Sequence, residues 1–176
     1  MNQKLSVGLR TALCIVLLAL AYVVQTSLGL RISIFGVHID LLPLIVAAAG
    51  IVMGPGAGLA CGLAAGVLYD VSGAGIEGMY PLYYMICGIA CGFFRGQFRG
   101  REIRGTMLCS VCTITLLAVL RYLFDFQFGS TGILAFARDM VLQALLAVVF
   151  SPLVLVVVRA VSGRKKPKAA VLPPDA

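Results

Sequence analysis

The chain has 176 residues, of which 61% are hydrophobic and 12% are charged, and its formal net charge is +7. Soluble domains carry about 25% charged residues, and a soluble fold of this length has too small an interior for so much apolar surface. The composition therefore excludes an ordinary soluble domain and indicates an integral membrane protein. In such a chain the positive charge is no sign of nucleic-acid binding, and we predict no nucleic-acid partner.

Six apolar segments, separated by polar or glycine-containing stretches, predict six helices. The first segment follows Lys4 and Arg10 and is too long for a cleaved secretion signal, so we expect it to remain as a membrane helix. The predicted helices cover residues 11–30, 40–53, 57–71, 80–94, 106–124 and 133–158. We expect residues 1–160 to form a single all-α transmembrane bundle. A basic cytoplasmic tail, residues 161–176, is predicted to be disordered.

The number of membrane crossings depends on the second and third helices, which are shorter than the about 20 residues that a spanning helix needs. The Gly-Pro-Gly break at residues 54–56 separates them, and one bent span in their place would leave five crossings. With six crossings, Arg31, Arg121 and Arg138 lie on one side and all the other basic residues on the opposite side. The positive-inside rule therefore favours six spans with both termini in the cytoplasm.

Charged residues mark two opposite faces of the predicted bundle. On the outer rim, five of them lie slightly inside the helix ends, and a charge at mid-helix costs about 2.5–3.5 kcal/mol. We predict that they form either structural ion pairs or a site for a ligand or partner. The outer-rim residues are Asp40, Asp70, Arg121, Arg138 and Asp139. The cytoplasmic basic face is Arg95, Arg99, Arg101 and Arg104.

Glycines recur every four residues in the third and fourth predicted helices. Residues four apart share one face of a helix, so these glycines form smooth grooves. Small residues let helices approach closely, which is how helices associate in lipid. The grooves are therefore predicted either to close the bundle internally or to bind a partner. The helix-packing residues are Gly58, Gly62, Gly66, Gly88 and Gly92.

Residues able to carry catalysis are scarce. The single histidine, His38, lies in a predicted loop, and no phosphate-binding glycine loop with a lysine is present. Cys109 and Cys112 have a redox-type spacing, but they lie in an apolar helix without the strand–helix context that such chemistry needs. We therefore expect no catalytic residues, no metal site, no cofactor and no enzymatic activity.

Residues 40–92 resemble the rod shape-determining protein MreD family of bacteria. The shared features are an aspartate opening the second helix, a glycine-rich third helix ending in Tyr69-Asp70, a glycine-containing loop, and a fourth helix beginning near Pro81. The resemblance implies a non-enzymatic membrane subunit of the bacterial cell-elongation complex, acting in peptidoglycan synthesis as a scaffold or regulator of cell shape. It implies MreC as a partner and, through it, MreB, RodA and a class B penicillin-binding protein. The basic face would then contact anionic membrane lipids or a cytoplasmic filament.

An alternative from a different class is the substrate-binding S component of energy-coupling-factor vitamin transporters. Those proteins have a similar six-helix size, and the MreD family is thought to share their fold. The outer-rim charges with Tyr80, Tyr83 and Tyr84 would then line a vitamin site. Against this alternative, Val16 and Leu20 interrupt the small-residue spacing that such transporters carry on their first helix. A membrane enzyme is a third alternative, without an evident nucleophile–base pair.

Overall fold

A computed structural model describes residues 7–29, 40–71, 78–98, 102–127 and 133–163. Within these ranges the chain folds into helices joined by short turns. The helices are α1 (Val7–Gly29), α2 (Leu42–Met53), α3 (Pro55–Val71), α4 (Met79–Phe93), α5 (Glu102–Gln127) and α6 (Ile133–Ser162). A 3-10 turn, Phe94–Gly96, follows α4. The prediction of an all-α chain is therefore confirmed for the described residues.

Three helix ends lie four residues beyond the predicted ones, the first being that of α1, which begins at Val7 rather than at residue 11. The loop predicted to run to residue 105 is shorter, because α5 already begins at Glu102, an acidic residue favoured at a helix N-terminus by the helix dipole. The last helix was predicted to end at residue 158 but continues to Ser162. Gly163, in the left-handed conformation (φ +63°), then ends it in the usual way. Residues 164–176, most of the predicted tail, lie outside the described residues.

The glycine faces of α3 and α4 pack against each other in antiparallel orientation. A Cβ added to Gly58 would overlap the backbone of Gly88, and one added to Gly66 would overlap that of Pro81. Gly62 faces the backbone of Tyr84 in the same way. Since no side chain separates the two backbones, only glycine fits at these positions. The glycine grooves are thus occupied inside the bundle.

Helix α2 is the centre of the fold. Eleven of its twelve residues are buried, and it contacts each of the other five helices. It runs parallel to α4, and a Cβ on Gly50 would be 2.8 Å from the carbonyl oxygen of Gly88. Gly54 adopts a left-handed conformation (φ +109°), which turns the chain back into α3. Pro55 begins α3 because proline suits the first position of a helix.

The contacts between helix ends define two ends of the bundle. The N-termini of α1, α3 and α5 and the C-termini of α2, α4 and α6 form the basic end, which includes Arg95 and Arg104. The opposite termini form the acidic end, which includes Asp40 and Asp70. The hydrogen bond from Arg95 to the carbonyl oxygen of Met53 places the C-termini of α2 and α4 together at the basic end. The chain thus passes back and forth between the two ends.

Within the described ranges, three helices are long and apolar enough to cross a membrane, with spans at Gly8–Ser27, Glu102–Leu120 and Met140–Ser162. Large apolar side chains on these helices remain exposed, among them Leu20 (59%) and Leu153 (61%). Such surfaces are unfavourable in water and suit lipid. Helices α2 and α3 are apolar but shorter. The structure therefore supports an all-α membrane protein.

We predict that Gly88→Ala lowers the free energy of unfolding by about 3 kcal/mol, the upper part of the range for overpacked cores. The added methyl group would overlap the backbone of Gly58, which cannot move aside as a side chain can. Thermal or denaturant unfolding in detergent measures the change.

Gly56→Ala is the matched control, because no heavy atom lies within 4 Å of a Cβ at that position. We expect this variant to be as stable as the parent chain. Equal destabilisation by the two substitutions would contradict the close α3–α4 contact.

Candidate functional site

At the acidic end, Asp40 is held by a glutamine from α1. The amide nitrogen of Gln25 donates a hydrogen bond to Oδ1 of Asp40 at 2.8 Å. The backbone N–H of Leu41 donates to Oε1 of Gln25 at 3.0 Å. The single amide side chain thus joins the C-terminal part of α1 to the start of α2, where backbone N–H groups lack partners within the helix. Gln25 was not predicted as a site residue, because its partners lie 15 and 16 residues away.

Asp70 closes the connection between α3 and α4. Its Oδ2 accepts a hydrogen bond from the backbone N–H of Gly78 at 2.6 Å. Its other oxygen, Oδ1, is buried and has no hydrogen-bond partner among the residues that the structure describes. The carboxylate therefore has a structural role through one oxygen and keeps free acceptor capacity on the other.

Four tyrosines pack together beneath the acidic end. The ring centroids of Tyr69 and Tyr80 are 5.0 Å apart, and those of Tyr83 and Tyr84 are 5.7 Å apart. The hydroxyl of Tyr83 donates a hydrogen bond to the carbonyl oxygen of Thr113 in α5 at 2.6 Å. All four side chains are buried. Their contacts are those of a packed core that joins α3, α4 and α5.

The other outer-rim residues are described only in part. Arg138 lies in the first turns of α6 and its side chain is exposed. Arg121 and Asp139 lie within α5 and α6, but their side chains are outside the described part of the chain. The convergence of the five outer-rim residues on one site therefore stays a prediction, while Asp40 and Asp70 each have an identified partner.

At the basic end, Arg95 is a structural residue. Its Nη1 donates a hydrogen bond to the carbonyl oxygen of Met53 at 3.0 Å, which satisfies one of the free carbonyl groups at the C-terminus of α2. The same nitrogen would lie 3.0 Å from a Cβ on Gly54. Arg104 instead is exposed on the first turn of α5. Arg99 and Arg101 lie outside the described residues.

A salt bridge that was not predicted joins α5 to α6 at the same end. Nε of Arg159 donates to Oε2 of Glu102 at 2.9 Å, and Nη2 contacts the same oxygen. The two side chains are mostly buried, with 15% and 19% of their surfaces exposed. Glu102 is therefore neutralised by Arg159. An acidic residue inside an arginine-rich stretch is the signal that could have indicated such a partner.

These residues hold helices together or expose charge at the surface. Among the described residues, no group of three or more histidine, cysteine or acidic side chains is placed to hold a metal ion. All six cysteines are free thiols. Cys109 is buried, whereas Cys112 is exposed, so the two do not share one environment. Gln25, Asp70, Arg95 and the Glu102–Arg159 pair tie helices together.

The fold defines an all-helical integral membrane protein. Residues 7–161, nearly the whole chain, match the family described as rod shape-determining protein MreD. The chain belongs to this family, which confirms the resemblance predicted from residues 40–92. Comparison with curated proteins and with solved structures gives no match.

We predict that Asp70→Ala lowers the free energy of unfolding by about 1.5 kcal/mol, because it removes the charged acceptor for the N–H of Gly78. Asp70→Asn keeps an oxygen at that position and should retain most of the stability. Unfolding of both purified variants in detergent measures the difference. An Asp70→Ala protein as stable as the parent chain would contradict a structural role for this carboxylate.

Proposed function

We propose that this chain is a non-enzymatic, multi-pass subunit of the bacterial cell-elongation complex. In this role it acts as a scaffold or regulator of rod shape and peptidoglycan synthesis. Membership of a rod shape-determining family over residues 7–161 is the observation that carries the proposal. The helical bundle is consistent with it, since the contacts of Gln25, Arg95 and Glu102 join helices to one another.

The proposed topology has six membrane spans with the basic end in the cytoplasm. Helix α2, with twelve residues, is about 18 Å long at 1.5 Å per residue, less than the about 30 Å hydrocarbon core. Such a short helix is tolerated because protein, rather than lipid, surrounds it. The concentration of arginines at one end supports this orientation.

We further propose that the partners are MreC and, through it, MreB, RodA and a class B penicillin-binding protein. The lipid-exposed faces of α1 and α6 are large, with Val16 56% and Val156 62% exposed, and offer room for membrane helices of partners. The glycine faces of α3 and α4 offer no such room, because each is already covered by the other helix. Partner contacts are therefore expected on the outer helices.

The test is complementation in a rod-shaped bacterium depleted of its own family member. We expect the parent chain and Gly56→Ala to restore rod shape, and Gly88→Leu to leave cells rounded, because leucine at that position separates α3 from α4. Cell width and length by microscopy are the measurements, with immunoblotting to confirm equal membrane levels of Gly56→Ala and the parent chain. Unchanged cell shape on depletion would contradict the proposed role.

Crosslinking and affinity purification from native membranes test the partners. The proposal expects a protein with one membrane helix and a multi-pass peptidoglycan polymerase among the recovered proteins. Recovery of an ATPase with its coupling subunit would instead support the vitamin-transporter alternative and contradict the proposal.

A further inference from the structure

We propose that the basic end carries a binding site for the phosphodiester headgroup of anionic membrane lipids, formed by the turn after α4 and the first turn of α5. The inference goes beyond the role in cell shape. It needs only that the basic end lies at a membrane surface, and it holds whichever proteins the chain contacts.

The basic end carries an excess of positive charge. Arg10, Arg95, Arg104 and Arg159 lie at this end. Among the described residues there, Glu102 is the acidic side chain, and its salt bridge with Arg159 neutralises it. Three arginines are therefore uncompensated by carboxylates within the described part of this end. A surface of this kind attracts phosphate groups, and juxtamembrane basic residues contribute about 1 kcal/mol each to binding of anionic lipid.

The basic end also exposes apolar side chains. The side chain of Phe93 is 73% exposed, that of Phe94 45% and that of Ile103 48%. Exposed aromatic and aliphatic groups next to arginine are typical of surfaces that lie at the boundary between headgroups and acyl chains. Arg104 follows Ile103 directly and is also exposed, so charged and apolar groups are adjacent.

The turn after α4 is held in place on both sides. The backbone N–H groups of Gln97 and Phe98 donate to the carbonyl oxygen of Phe94 at 3.1 and 3.3 Å. The ring of Phe98 lies against Gly105, where a Cβ would be 2.7 Å from its nearest atom. Arg95 is bonded to α2, as described above. Phe93 and Arg104 are therefore held in fixed positions relative to each other, which lowers the entropy cost of binding a lipid.

The shape of the surface favours a lipid over a soluble anion or a soluble protein. Leu82, Ile86 and Phe93 share one exposed face of α4, and this face ends at the basic turn. An acyl chain can lie along such a face while the headgroup phosphate of the same molecule meets Arg104. A lipid joins these two chemistries in one ligand.

The experiment is native mass spectrometry of the full chain in neutral detergent, titrated with phosphatidylglycerol or with zwitterionic phosphatidylcholine. We expect preferential binding of phosphatidylglycerol. Arg104→Gln should weaken it about fivefold, the factor equivalent to about 1 kcal/mol for one basic residue. Arg104→Lys keeps the charge and should bind within about twofold of the parent chain, on the same scale.

Arg138→Gln is the matched control, because it removes one exposed arginine at the acidic end and lowers the net charge equally. We expect it to leave phosphatidylglycerol binding unchanged. Equal losses for Arg104→Gln and Arg138→Gln, or no preference over phosphatidylcholine, would overturn the proposal. So would full displacement of the lipid by an equal concentration of inorganic phosphate, which would show that the acyl chain contributes nothing. This test does not use cell-shape complementation. Failure of the lipid-binding proposal can therefore be distinguished from failure of the proposed function.

Discussion

The contact of α3 with α4 through glycine is the constraint on which the rest of the bundle depends. Gly88 lies where three helices meet, since a side chain there would overlap α3 and since Gly50 of α2 approaches its carbonyl oxygen. The absence of side chains on these faces lets α2 sit between α4 and the outer helices with nearly all its residues buried. In lipid, close packing of this kind replaces the hydrophobic effect as the force that joins helices.

Polar residues complete the fold at its two ends. At the acidic end, Gln25 connects α1 with α2, and Asp70 closes the connection between α3 and α4. At the basic end, Arg95 and the Glu102–Arg159 salt bridge connect α2 with α4 and α5 with α6. These groups lie near helix ends, where a charge costs less than at mid-helix, while most of the buried residues between the ends are apolar. The division explains why most identified charged contacts are structural and why Arg104, which is exposed, is the better candidate for an external ligand.

The sequence allowed the helical elements to be predicted because apolar segments and Gly-Pro-Gly breaks are local signals. The four-residue glycine spacing predicted close packing but left open whether the grooves face the bundle or a partner. That choice depends on how α3 and α4 meet, which is a tertiary property. For the same reason the partners of Gln25 and Glu102 were not predicted, since they lie 15 and 57 residues away in the chain. The early start of α5 was missed because its first residues are polar and read as a loop.

In the proposed topology the two ends of the bundle face opposite sides of the membrane, and α2 and α3 are connected at the basic end, in the cytoplasm. Single cysteines test it most directly: Gly56→Cys at the basic end and Arg138→Cys at the acidic end, both exposed positions, in a chain without its native cysteines. The measurement is labelling by a membrane-impermeant maleimide added outside the cell membrane. The proposed topology predicts labelling of Arg138→Cys in intact cells and of Gly56→Cys only after the membrane is opened. Labelling of both from the outside, or of Gly56→Cys alone, would contradict this account.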